Sequence, residues 1–272
     1  MLSIVVSWRD RAELGQSLPT LLAVSDAVGG DVTVVNFGGD REKLEPQVAP
    51  YRQRIRIIEV QGEQYFNKAA AQNVGAWSTQ QPLLFFCDCD ILLDLPSTVA
   101  LVERLAANPG CFGTLAGVRE SELNSRGANH VVSFGYELKI RTADGRQLNI
   151  IDNEEDSGDG TRQAPGLLFV HRKDFETING YNAGLHGWGW EDQDMISRLT
   201  LGNGLVRISD GSAIHISHGD EARIGAYPPV SSRWESRDRM FRKALANYDA
   251  ANFDGTFAQD VERLAPRINR MN

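Results

Sequence analysis

The sequence predicts an α/β fold built on a mostly parallel central sheet flanked by helices, and three features predict it. A strand, a helix and a strand succeed one another within about 35 residues at the start of the chain, the pattern of a βαβ unit. Helical and extended segments keep alternating to about residue 110. The run LLFFC, Leu83 to Cys87, is apolar at every position, as a strand covered on both faces is. With 272 residues, 42% apolar and 24% charged, the chain suits one large globular α/β domain with a C-terminal extension.

Leu2 to Trp8 (LSIVVSW) reads as a buried strand. Leu14, Leu18, Leu21, Leu22 and Val24 then recur at roughly helical spacing, and DVTVVNFGG is a second strand closed by a glycine turn. Ile55 to Gly62 is a third strand, Asn67 to Ser78 an alanine-rich helix, and Pro82 to Leu93 a long strand whose polarity changes at Asp88. An early Pro96, with Glu103 and Arg104 on the wet side, marks a helix over Pro96 to Asn108. GANHVVSFGYELKIRT then gives short alternating strands, Asp152 to Gln163 an acidic, glycine-bearing loop, and GLLFVHR another strand. KDFETING is a short helix ended by Gly180, EDQDMISRLTLGN a further helix, and VRISDGSAIHISHGD one or two strands. From Ser231 an arginine-rich segment is helical, and a second helical stretch follows near the C-terminus.

The net charge of −8 and pI near 5.2 exclude nucleic acid or an anionic membrane as the main partner. The N-terminal apolar run, about five residues, is too short for a signal-peptide core or a spanning helix, and no other stretch could span a bilayer. Cys87 and Cys89, two apart on one strand, are poorly placed for a disulfide. Free thiols in a reducing compartment follow for these and Cys111, and the lack of a C-x-x-C pair argues against a cysteine zinc site. The expectation is a soluble cytoplasmic protein, compatible with peripheral attachment to the inner face of a membrane.

Chemistry concentrates at a few points. Asp88 and Asp90 stand two apart at the end of an apolar strand, where an extended chain turns both side chains the same way and where open α/β sheets bind ligands. A divalent metal bridging to phosphate relieves the repulsion of two such carboxylates; the plain alternative is an acidic turn. His215 and His218, three apart, can join Asp90 in a mixed carboxylate and imidazole set suited to Mn²⁺ or another divalent ion, or be a surface pair. Arg9 and Arg11 follow the first strand, placed to grip a diphosphate or simply to start a solvated helix. Phe66 and Lys68 open a helix whose N-terminus favours an anion. LHGWGWEDQDM, Leu185 to Met195, sets rings, glycines and acids side by side; one plain reading is a pair of core tryptophans ahead of an acidic helix cap.

VVSWRDRAEL, FNKAAAQNVG, FFCDCD, FETINGYNAGLHGWGWEDQDMISRL and HISH occur in an order and spacing that resemble metal-dependent GT-A-fold glycosyltransferases. They look most like the β-1,4-galactosyltransferase group and related chondroitin-polymerase-type domains. The resemblance covers roughly residues 3 to 220 and implies a GT-A (Rossmann-like) fold. It implies a catalytic domain over 1–225, with a nucleotide-binding half (1–110) and an acceptor and metal half (111–225), followed by a helical extension over 226–272. Asp88 and Asp90 then resemble a DXD motif, with Asp90 the direct metal ligand together with His218, and His215 beside it. Arg9, Arg11, Phe66 and Lys68 resemble residues around UDP. Trp188, Gly189 and Trp190 fall on the acceptor and sugar contact, Glu191 on an acceptor-orienting acid, and Asp192 on the general base.

The expected activity is an inverting, Mn²⁺-dependent transfer of a hexose or N-acetylhexosamine from a UDP-sugar to a hydroxyl of a saccharide or glycoconjugate, in a bacterial-type polysaccharide-building role. The rival readings are a non-catalytic nucleotide-sugar or carbohydrate-binding protein that retains the fold, and a nucleotide-sugar hydrolase. Trp190 stands where the galactosyltransferases carry glycine, and TRQAP before Gly166 departs from their donor-selecting context. The segment 152–163 is a candidate lid. The C-terminal arginine-rich helices form either an acceptor surface or a homo-oligomer contact.

Overall fold

A computed structural model describes residues 1–122, 135–153 and 161–271. In chain order the elements are β1 (Leu2–Trp8), α1 (Leu14–Val28), β2 (Asp31–Phe37), α2 (Arg41–Val48), β3 (Arg56–Val60), α3 (Lys68–Trp77), β4 (Leu83–Asp88), β5 (Ile91–Leu93) and α4 (Leu95–Ala106). There follow β6 (Cys111–Glu120), β7 (Gly135–Arg141), β8 (Gln147–Asn153), β9 (Thr161–His171), α5 (Arg172–Thr177), α6 (Glu191–Ser197), β10 (Val206–Ser209) and β11 (Ser212–His215). The chain ends in α7 (Asp220–Ile224), α8 (Arg233–Asp249), α9 (Phe257–Leu264) and β12 (Ile268–Met271).

The large sheet runs β12-β3-β2-β1-β4-β9-β6-β11-β5, with β10 also paired to β6, while β7 and β8 form a separate hairpin. Its centre, β3-β2-β1-β4, is parallel. β9 then enters antiparallel between β4 and β6. Adjacent residues of β4 serve opposite faces, as a strand requires. Phe85 stacks on Phe169 at 3.9 Å between ring centroids, in the core shared with Leu14, Leu18 and Leu21 of α1 and Leu101 and Leu105 of α4. Phe86 belongs to the other core, with Val74 of α3, Met195 and Ile196 of α6, and Met240 of α8. The result is a three-layer α/β/α arrangement.

The fit of α3 on the sheet explains its alanine-rich sequence. Ala69, Ala70, Ala71, Val74 and Gly75 are all buried, and a Cβ at Gly75 would lie 2.2 Å from Val5 Cγ1. Small residues therefore let the helix lie close on β1, and Asn67 caps its start by accepting from Ala70 N at 3.1 Å. That places Lys68 beside the C-terminal ends of β1 and β4.

Four elements differ from the sequence reading. The expected strand Pro82 to Leu93 ends at Asp88; the chain turns at Cys89 and Asp90, and β5 pairs antiparallel with β11 instead. The predicted loop from Asp152 closes earlier, because Asp152 and Asn153 end β8 and Thr161 to Gln163 begin β9. The centre of that candidate lid lies outside the described residues, as do the strands expected before Gly135. α2 and β12 were not legible. α2 buries only Leu44 and Val48, and β12 is a four-residue edge strand that pairs antiparallel with β3, adding a strand to a segment read as helical. No helix among the described residues is long and apolar enough to cross a membrane.

Candidate active site

One cleft with about 870 Å³ of empty space, including its open mouth, lies at the C-terminal ends of β1 and β4, where Ser7 and Asp88 reach it. At one end the β4–β5 turn, β11 and the segment after it converge. Asp90 is 5% exposed. Its Oδ2 lies 3.2 Å from His218 Nε2 and 3.5 Å from His215 Nε2, and Arg11 Nη2 donates to it at 3.0 Å. One ligand atom from each of Asp90, His215 and His218 falls within 4.8 Å of the others, and Asp90 Oδ1 is buried with no hydrogen-bond partner. A buried carboxylate oxygen left over among two imidazole nitrogens is the donor set a divalent ion takes. Burial pushes the Asp90 carboxyl up, but hydrogen bonds to the two histidines and the charge of Arg11 outweigh it and hold the group well below the usual carboxylate range.

Asp88 does not share that set. The turn ends the strand periodicity, so the two aspartates part, and Asp88 Oδ1 meets Lys68 Nζ at 2.7 Å. Arg11 is also committed, with Nε on Glu13 at 3.0 Å and Nη2 on Asp90. Arg9 lines the cleft while donating to the carbonyls of Phe37, Glu63 and Gln64. Phe66 stands edge-on to Tyr227 at 5.4 Å.

At the other end, α6 follows directly on Trp190, whose φ of 74° is left-handed. Glu191 is buried and lies 3.4 Å from Lys68 Nζ, its second oxygen without a partner. Burial, opposed by Lys68 and reinforced by Asp192, raises its carboxyl from about 4.5 to about 7. Burial also raises Asp192, against the pull of Lys68, and Asp192 Oδ1 accepts from Gln193 N at 2.7 Å. Lys68 is pushed down by burial, yet the charges of Asp88, Glu191 and Asp192 carry it well above the ordinary lysine range. The third acid of the motif is structural. Asp194 is fully buried against Arg198 at 2.7 Å, accepts from Tyr248 at 2.8 Å, and Arg198 in turn donates to Gly180 O.

The cleft thus gathers Arg9, Arg11, Phe66, Lys68, Asp88, Asp90, Trp188, Gly189, Glu191, Asp192, His215 and His218. Trp190 is the exception among the expected residues. It is 4% exposed, packs in the core with its ring 4.5 Å from Phe241 of α8, and does not line the cleft. Its left-handed backbone turns the indole inward, where the reading of a sugar contact had turned it outward. Trp188 does reach the cleft, and its backbone N–H donates to Ser236 Oγ of α8 at 2.8 Å.

Sequence reasoning missed Glu120, Arg162, Tyr227 and the role of Gly166. Arg162 and Tyr227 line the cleft, and Glu120 lies behind His215 at 2.7 Å. A Cβ at Gly166 would lie 3.2 Å from Asp192 Oδ2 and 3.4 Å from Lys68 Nζ, so glycine keeps that space open. Arg162 lies in the TRQAP stretch that was noted only as a departure from the donor-selecting context, and nothing near Glu120 in sequence signals a site, because its partners Arg162 and His215 are distant along the chain.

A sequence model of the family described as "N-terminal domain of galactosyltransferase" matches residues 156–219. The mouse (Mus musculus) chondroitin sulfate N-acetylgalactosaminyltransferase 1 is 29% identical over 184 residues, covering 64% of this chain; the chain spans 32% of that relative's length. Among solved structures, GalNAc-T7 with UDP, GalNAc and Mn²⁺ superposes with a TM-score of 0.60 at 12% identity, over 98% of this chain and 57% of that one. The mannosyltransferase PcManGT of Pyrobaculum calidifontis, in complex with GDP-Man and Mn²⁺, gives 0.55 at 14% identity, over 90% and 64%. S. aureus TarS gives 0.51 at 14%, over 90% and 39%. With the sheet order and the cleft described above, these likenesses show that the chain has the GT-A fold of those glycosyltransferases and that its residues 156–219 are similar to the galactosyltransferase family.

Proposed function

We propose that the chain transfers a hexose or N-acetylhexosamine from a UDP-sugar to a hydroxyl of a saccharide or glycoconjugate, with inversion at the anomeric carbon. The observation that carries this reading is one cleft holding a divalent-ion donor set, Asp90 with His215 and His218, together with a buried acid pair, Glu191 and Asp192. When bound, Mn²⁺ or a similar ion supplies charge neutralisation for the departing diphosphate. The chain's own residues do the rest. Asp192 takes the proton of the acceptor hydroxyl as its oxygen bonds the anomeric carbon and the bond to the UDP oxygen breaks; attack from the face away from UDP inverts the centre. Glu191 accepts a hydrogen bond that orients the acceptor, and Trp188 offers its ring to a pyranose face. Arg9, Phe66, Lys68 and Asp88 line the donor side.

The relatives whose complexes contain UDP or GDP-Man with Mn²⁺ support a nucleotide-sugar donor. Contact of α8 with Trp188 through Ser236 favours the C-terminal helices as part of the acceptor surface rather than as a self-association face. The free, buried thiols of Cys87 and Cys89 support a reducing, cytoplasmic setting. A protein kept for binding alone is free to lose the residues proposed as metal set and base, and the presence here of Asp90, His215, His218 and Asp192 in one cleft favours turnover. Asp192→Asn tests the assignment. Transfer is expected to fall by roughly 10²- to 10⁴-fold, the usual worth of a general base, with UDP affinity retained; an unchanged transfer rate would remove Asp192 from the role.

A further inference from the structure

We propose that Glu120 is a positioning residue that sets His215 for the divalent ion and anchors Arg162 in the cleft. The inference rests on the metal-dependent reading above and adds to it a residue outside the ligand set.

The sheet creates the arrangement. β6 and β11 are parallel neighbours, and their register places Glu120 beside His215. Ser121 N donates to His215 O at 2.8 Å, and Ile216 N donates to Asp90 O at 2.8 Å, so the strand ends and the β4–β5 turn are tied together by backbone. The Glu120 side chain is almost fully buried, which is costly for a carboxylate unless its oxygens are partnered. They are. Oε2 faces His215 Nδ1 at 2.7 Å and accepts from Ser217 Oγ at 2.9 Å. Oε1 accepts from Arg162 Nε at 2.8 Å.

The consequence is chemical. An imidazole whose Nδ1 faces a carboxylate keeps its proton there, so Nε2 presents a lone pair. His215 Nε2 is the atom 3.5 Å from Asp90 Oδ2. The same carboxylate also makes that nitrogen more basic. If Glu120 served only to neutralise Arg162, its second oxygen would have no need of the imidazole; both contacts are made, and both Arg162 and His215 reach the cleft.

The test is Mn²⁺ affinity without nucleotide, read from the electron paramagnetic resonance signal of the free ion during titration. It compares the wild type with Glu120→Gln, Glu120→Ala and Arg162→Gln, each shown to be folded by thermal denaturation without metal. The amide of Glu120→Gln keeps the shape and an acceptor but not the charge, so its Mn²⁺ dissociation constant is expected to rise about 10-fold, and that of Glu120→Ala by up to about 100-fold. Arg162→Gln leaves the Glu120–His215 contact in place and is expected to keep wild-type Mn²⁺ affinity. Should the alanine variant fail to fold, the glutamine variant carries the test. A folded Glu120→Gln with wild-type affinity would overturn the proposal. So would an equal loss in Arg162→Gln, because the effect would then follow from breaking the ion pair rather than from the imidazole. A wild type that binds no Mn²⁺ would overturn the metal-dependent reading itself, and is told apart from the other outcomes by the first titration.

Discussion

Glu191 and Asp192 are neighbours in the chain, and burial raises the carboxyls of both. For Glu191 this has a consequence for stability. The native state holds its proton up to about pH 7, whereas the unfolded chain releases it near 4.5, so folding stability falls as pH rises through that window. Glu191→Gln removes the buried charge and is expected to melt higher than the wild type at pH 8, by on the order of a few degrees. At pH 4 the two should be nearly matched, because Glu191 is then mostly protonated in both the folded and the unfolded chain. Melting curves at the two pH values check this, and a gap of equal size at both would contradict the assigned environment. At this scale, legibility followed residue type. Asp90, His218 and Asp192 were singled out by residue type and fall in one cleft, although an acidic turn or a surface histidine pair reads the same in sequence. Glu120 was not, since its partner His215 lies 95 positions away. Trp190 was misplaced because an indole looks the same in sequence whether it faces a sugar or a core, and the sign of φ is invisible there.

Among the elements, α6 shows what that sign does. Trp190 adopts a left-handed backbone, which costs a non-glycine residue about 1–2 kcal/mol, and recovers this by burying its ring against Phe241. Trp190→Ala loses the ring, roughly 3–5 kcal/mol, and keeps the strain. Trp190→Gly loses the ring but sheds the strain, so it should be the less destabilised of the two by about 1 kcal/mol. Urea denaturation of both variants checks the order, and alanine above glycine would contradict it. The elements that were legible, among them β1, α1, α3 and α4, are long and periodic. The missed ones were short or weakly apolar, as α2 and β12 are, or were ended by a tertiary contact. Asp88 stops β4 where Lys68 and the Asp90 cluster draw the two aspartates apart, and no local pattern announces that.

For the molecule as a whole, the C-terminal segment is part of the central architecture. α9 places Asp260 against Asn73 of α3 at 2.8 Å, and β12 covers the edge of β3, pairing Ile268 with Val60 and Arg270 with Ile58. Removing residues 265–272 is therefore expected to expose a β-edge and to speed amide hydrogen exchange along β3 while leaving β4 protected. Unchanged exchange at β3 would contradict the pairing. The α/β class and the parallel centre of the sheet were legible from alternation alone; the antiparallel insertion of β9 was not, because strand order is set by contacts distant in sequence. The cleft at the strand ends is the feature on which the functional account depends. Its most direct test is UDP release measured across a panel of UDP-sugars, with and without Mn²⁺ and with and without mixed saccharide acceptors. The account predicts release that needs the metal, one class of donor and an added acceptor. Release at the same rate without acceptor or metal would contradict it.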